Sequence, residues 1–131
     1  MQLESSPLPD DIVRLRLSGR LDIEGVRAIE ESFALATTTR TAKIIVDLAE
    51  VSFLASIGIR MLLASARAQA KQGGTLLFAA PQPIVRKVIE TAGIDQIAGL
   101  VEDIESALAI LSQRNVPKGD PQARRGSNRD R

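Results

Sequence analysis

Histidine, cysteine, tryptophan and tyrosine are all missing from these 131 residues. Their absence excludes a thiolate nucleophile, a Ser-His-Asp triad, a zinc ribbon and an imidazole switch near neutral pH. Three Phe are the whole aromatic content, too few for platforms on which single-stranded nucleic acid would stack. Charges break every apolar stretch well short of a membrane span. The opening residues, Met1-Gln2-Leu3-Glu4-Ser5-Ser6-Pro7, have neither the basic start nor the apolar run of a signal peptide. No Asp ladder of the calcium-loop kind occurs, and no glycine-rich phosphate cradle of either common spacing. These absences predict a soluble, cytoplasmic protein with no metal and no cofactor.

What is present is a chain that is 44% hydrophobic, enough to bury a core without disulfides, at a length typical of one domain. The formal net charge of +1 is unevenly spread. Residues 116–131 hold five basic and two acidic side chains and no apolar periodicity, which predicts a disordered basic tail after a domain spanning 1–115. The tail reads either as a solvated extension or as an electrostatic contact for an acidic partner.

Within the domain, strand-like and helix-like periods alternate. Val13, Leu15 and Leu17 repeat at period two opposite Arg14, Arg16 and Ser18, which predicts a strand with one wet face, followed by a turn over 18–22. Val26, Ile29, Phe33 and Ala36 form a helical stripe that begins near Asp22 and ends in Thr37-Thr38-Thr39. Ile44-Ile45-Val46 suits a buried strand ending at Asp47-Leu48, with a loop through Glu50, Val51 and Phe53 after it. A second helix starts near Ser56, carries Ile59, Leu62, Leu63, Ala66 and Ala70 on one face, and stops at Gly73-Gly74. Residues 75–79 make the next strand. A third helix turns Ile84, Val85, Val88, Ile89 and Ala92 inward and ends at Gly93. A short strand near 98–101 and a last helix bearing Ile104, Leu108 and Leu111 complete the pattern, and residues 1–6 allow one more strand before Pro7 and Pro9. The fold class is therefore α/β, a four- to five-stranded mixed, largely parallel sheet with about four helices. Its core is expected to contain Ile44, Val46, Leu62, Leu63, Leu77, Val88 and Ile89.

Two polar positions stand out. Asp47, at the end of a buried strand, sits where open α/β sheets contact ligands, or else it accepts hydrogen bonds from the loop that follows. Ser56, at the loop-helix junction, reads as an N-cap. The same geometry suits a phosphate on its hydroxyl, facing free N–H groups at the positive end of a helix.

The order of motifs resembles the STAS domain family, which includes bacterial anti-sigma factor antagonists. Asp47-Leu48 and Phe53-Leu54-Ala55-Ser56-Ile57-Gly58-Ile59 take the places of that family's strand end and its Asp-Ser-Ser/Thr-Gly-Leu helix start. Ser18-Gly19-Arg20-Leu21-Asp22 resembles its Gly-x-Leu-Asp turn. Lys71-Gln72-Gly73-Gly74-Thr75-Leu76-Leu77 resembles its helix-Gly-Gly-strand step, and Val85 to Ile94 its third helix. The resemblance covers roughly residues 8–112 and implies a regulator, not an enzyme. Unphosphorylated, it would bind an anti-sigma factor with serine-kinase activity and the histidine-kinase-like ATPase fold. Phosphorylation at Ser56 would release that partner, and a serine phosphatase would reset the switch. Asp22, Ala55, Ser56, Ile57, Gly58 and Arg60 would lie in the partner-binding surface, with no direct contact to nucleic acid and no membrane insertion. Ala55 stands where the family has Asp and Ile57 where it has a second hydroxyl residue. Arg60 stands where Gly is common, either solvated or placed to pair with a phosphate one turn back. The alternative that the resemblance allows is a STAS subunit of an ABC-type transporter, docked on its ATPase without phosphorylation.

Overall fold

The computed structural model describes residues 1–38 and 42–113; the basic segment 116–131 and the domain boundary before it lie outside the described residues. One five-stranded sheet runs in the order β1 (Gln2–Leu8), β2 (Ile12–Leu21), β3 (Lys43–Leu54), β4 (Thr75–Ala79) and β5 (Gly99–Val101). β1 is antiparallel to β2, and the remaining neighbours are parallel. The connections are α1 (Ile23–Thr38), α2 (Ser56–Gln72) and α3 (Pro83–Ala92), and α4 (Ile104–Gln113) follows β5.

Each parallel crossover steps one strand in the same direction, so right-handed connection places α1, α2 and α3 on one face. Strand alternation then sorts the core. Leu15, Leu17, Ile44, Val46, Leu48, Leu76 and Phe78 pack with Val26, Phe33, Leu62 and Ile89 from those helices. Ile12, Ile45, Leu77 and Ala79 point the other way and are covered by Ala107 and Leu111 of α4. Of the expected core, Ile44, Val46, Leu62, Leu77 and Ile89 are buried, while Leu63 and Val88 are half-buried against it.

Several expectations are corrected. The turn over 18–22 is strand as far as Leu21: Gly19, at φ +118°, takes up an irregularity in β2, and the pairing to β3 shifts on either side of it. β3 likewise runs through the supposed loop to Leu54, because Arg20 and Leu21 pair with Phe53 and Leu54. β1 reaches past Pro7, which is tolerated because an edge strand leaves one side of its backbone unpaired. In α3, Val85 and Ile89 are inward with Val88 half-buried beside them, but Ile84 is 62% exposed and Ala92 is also in solvent. In α2, Ala70 is exposed, whereas Ser65 and Gln69 are buried. Gln69 donates from Nε2 to Thr37 O at the end of α1, tying the two helices together. The glycine stops are as expected: Gly73 and Gly93 adopt φ +81° and +77° and donate back to the last turns of α2 and α3.

Candidate functional site

β4 ends opposite Asp47 and β1 begins opposite Ser18, and beyond them β2 and β3 continue as a two-stranded arm pairing Gly19–Leu21 with Val51–Leu54. At the tip of the arm α1 and α2 begin side by side. Their closeness rests on two glycines, each the third residue of its helix. A methyl on Gly25 would stand 1.9 Å from Arg20 O, and one on Gly58 would stand 2.7 Å from Leu54 Cδ1 and 2.9 Å from Leu21 O. Neither helix could start so near the strand ends with a side chain there.

Asp22 caps α1. Its Oδ1 accepts the Gly25 N–H at 2.9 Å and its carbonyl accepts the Val26 N–H at 2.9 Å. Arg20 lies over the Phe53 ring, 4.2 Å from its centroid, and its Nε is 3.4 Å from Asp22 Oδ2. The Gly25 N–H, with help from Arg20, holds the Asp22 carboxyl below its ordinary value of 3.8. A lowered folded pKa adds stability above the unfolded value, and that contribution is lost as pH falls through the folded one. Asn caps as well as Asp but does not titrate, so Asp22→Asn should soften the fall of melting temperature below about pH 4. Parallel pH–Tm curves for the two proteins would show that Asp22 contributes nothing to acid sensitivity.

α2 begins differently. Ala55 is extended (φ −93°, ψ 172°), donates its N–H to Leu21 O at 3.0 Å and accepts the Ile59 N–H at 3.0 Å. It therefore occupies the N-cap, and it has no side chain with which to cap. The N-cap reading of Ser56 is thus corrected by one position: Ser56 is the first helical residue, exposed, and its hydroxyl makes no hydrogen bond among the described residues. No acidic side chain stands in the first turn of α2. The arrangement leaves the amide N–H groups at the helix start and their positive potential uncompensated.

The structure brings Asp22, Ala55, Ser56 and Ile57 together at the arm tip. Ile57 is half-buried against the core and Gly58 is buried beneath it, while Arg60 lies one turn along α2, exposed and in no ion pair among the described residues. Sequence reasoning missed Ile23, which follows Asp22 and is 56% exposed. As the first residue of α1 it has no preceding turn for its side chain to lie on, and that position was the available signal.

Asp47 belongs to the fold. It is 2% exposed, accepts the Ala49 N–H at 3.0 Å and pairs with Arg14 at 2.5 Å. Of the two roles open to it, acceptance from the following residues is the one observed, with the Arg14 pair in addition. No cluster of three or more acidic side chains able to hold a metal occurs among the described residues, and no described helix is long and apolar enough to cross a membrane.

A family model described as Mlab, STAS domain, matches residues 6–102. The chain is 27% identical over 96 residues to the anti-sigma-F factor antagonist RsfB of Mycobacterium tuberculosis, covering 72% of this chain and 76% of that one. An anti-sigma factor antagonist from Mycobacterium paratuberculosis superimposes with a TM-score of 0.76 at 23% identity, covering 85% of this chain and 93% of the other. The anti-sigma factor antagonist SpoIIAA in its unphosphorylated form superimposes with a TM-score of 0.61 at 25% identity, covering 88% and 100%. Its Bacillus phosphorylated form gives 0.62 at 24%, covering 84% and 99%.

Proposed function

The chain belongs to the STAS domain family, and from that premise we propose that it is an anti-sigma factor antagonist working as a partner switch at Ser56. Unphosphorylated, it binds an anti-sigma factor that is also a serine kinase of the histidine-kinase-like ATPase fold. Phosphorylation of Ser56 releases it, and a serine phosphatase restores binding. The observation that supports this reading is an exposed serine, with no hydrogen bond to its hydroxyl among the described residues, as the first residue of a helix whose N-cap side chain makes no capping bond. A phosphate there meets unpaired N–H groups, so the domain accepts the modification without refolding. The binding surface is the arm tip: Asp22, Ile23, Ala55, Ser56 and Ile57, with Gly58 supporting α2 from below and Arg60 at its side.

The reading is tested with a purified anti-sigma kinase, Mg²⁺ and ATP. One phosphate is expected, on Ser56 by mass spectrometry and absent from Ser56→Ala. Because no capping bond is lost, Ser56→Ala should change stability by less than about 0.5 kcal/mol. Modification of the exposed Ser52 instead, or no modification by any such kinase, would remove the switch. Binding to a transporter ATPase without phosphorylation would put the transporter-subunit reading in its place.

A further inference from the structure

A groove of about 520 Å³ runs between α1 and α2, away from the arm tip. Its floor is apolar, built from Val26, Phe33, Ile57 and Met61. Its walls carry opposite charge: Glu30 and Glu31 on α1, Arg60 on α2. All three charged side chains are exposed, and none is in an ion pair among the described residues. Ser56 and Arg60 are four residues apart on α2, hence neighbours along one strip of the helix. The groove therefore opens beside the residue assigned as the switch.

We propose that this groove receives a helical segment of the anti-sigma partner, acidic toward Arg60 and basic toward Glu30 and Glu31, and that phosphate on Ser56 withdraws Arg60 from it. The proposal rests on the partner-switch reading above and specifies the surface through which that switch acts. Charge complementarity chooses the occupant. An apolar floor between an acidic wall and a basic wall matches an amphipathic helix with flanks of opposite sign and fixes which way round it lies. The lined stretch of α1 from Val26 to Thr38 is about 18 Å long at 1.5 Å per residue, room for about three turns of a partner helix. A phosphate one turn from Arg60 competes for the same guanidinium through charge-assisted hydrogen bonds. Modification then removes an attraction in the groove and adds a repulsive charge at its mouth.

The test measures binding of the unphosphorylated chain to the purified kinase that modifies Ser56. Ala34 and Ala64 line the groove and are exposed, so the double variant Ala34→Gln, Ala64→Gln fills it with good helix formers at no cost to the core. It should raise Kd at least tenfold with an unchanged Tm. Arg60→Glu, also on the surface, should do the same by reversing one wall. Ala109→Gln, on the exposed side of α4 across the sheet, should bind like wild type. If both groove variants bind within twofold of wild type while Ser56→Asp still weakens binding, the groove assignment is overturned and the switch stands. If Ser56→Asp has no effect either, the switch reading falls and this inference with it. Sedimentation of the chain alone supplies the remaining outcome: a wild-type dimer dispersed by the double variant would make the occupant a second copy, against the proposal.

Discussion

Ser56→Asp should bind the anti-sigma kinase about a hundredfold more weakly than wild type, while melting at the same temperature or slightly higher. The two halves of this expectation come from the same position. As the first residue of α2, Ser56 makes no capping bond to lose, and no other acid occupies the first turn. A carboxylate there interacts favourably with the positive end of the helix, typically by 0.3–1 kcal/mol. At a docking surface the same charge must be stripped of water without a designed partner, which costs several kcal/mol. A net loss of about 2.7 kcal/mol is a hundredfold in affinity. The unequal signs separate charge from misfolding: a variant that binds weakly because it is damaged would also melt early. Unchanged affinity in calorimetry, or weaker binding accompanied by a fall in Tm of several degrees, would reject the charge mechanism.

The largest effects on stability are expected at the Arg14–Asp47 pair, and in a particular order. Asp47 is 2% exposed and the Arg14 side chain 34%. Removing one partner of a buried ion pair leaves the other uncompensated, at a cost set by the burial of the survivor. Arg14→Ala leaves the buried carboxylate with the Ala49 N–H as its remaining partner among the described residues, and about 3 kcal/mol of destabilisation is expected. Asp47→Ala leaves a guanidinium that still reaches water, so the cost is discounted to about 2 kcal/mol. For a domain of this size these amount to falls in Tm of roughly 9–18 °C and 6–12 °C. Urea unfolding of the two variants measures the difference directly, and the reverse order would show that Asp47 is stabilised mainly by its backbone bond.

The arm tip shows how fold and site depend on each other. Asp22 and Ser56 stand 34 positions apart in the chain, yet the Ala55 N–H donates to Leu21 O and joins the two helix starts. Gly25 and Gly58 make that junction possible by letting both helices begin against strand ends. The same contact aligns α1 with α2 along the groove that leads away from Ser56. A substitution that pushed either helix outward would therefore disturb the proposed binding surface and the core together.

The sequence by itself determined the alternation of strands and helices, the glycine stops at Gly73 and Gly93, the family resemblance and the placing of Ser56 at a helix start. These are local properties, because side-chain period and terminating residues act within a few positions of themselves. Tertiary structure alone decided what depends on partners distant in the chain. Residues 50–54 are strand because residues 18–21 lie beside them. Gln69 is buried because Thr37 O waits 32 positions earlier. Asp47 is structural because Arg14, 33 positions away, folds across it. Ala55, and not Ser56, is the N-cap because its backbone is held in the extended conformation by Leu21. Periodicity classes a polar residue as exposed unless something pairs with it, and the pairing is a property of the packed chain, in which segments far apart in sequence become neighbours.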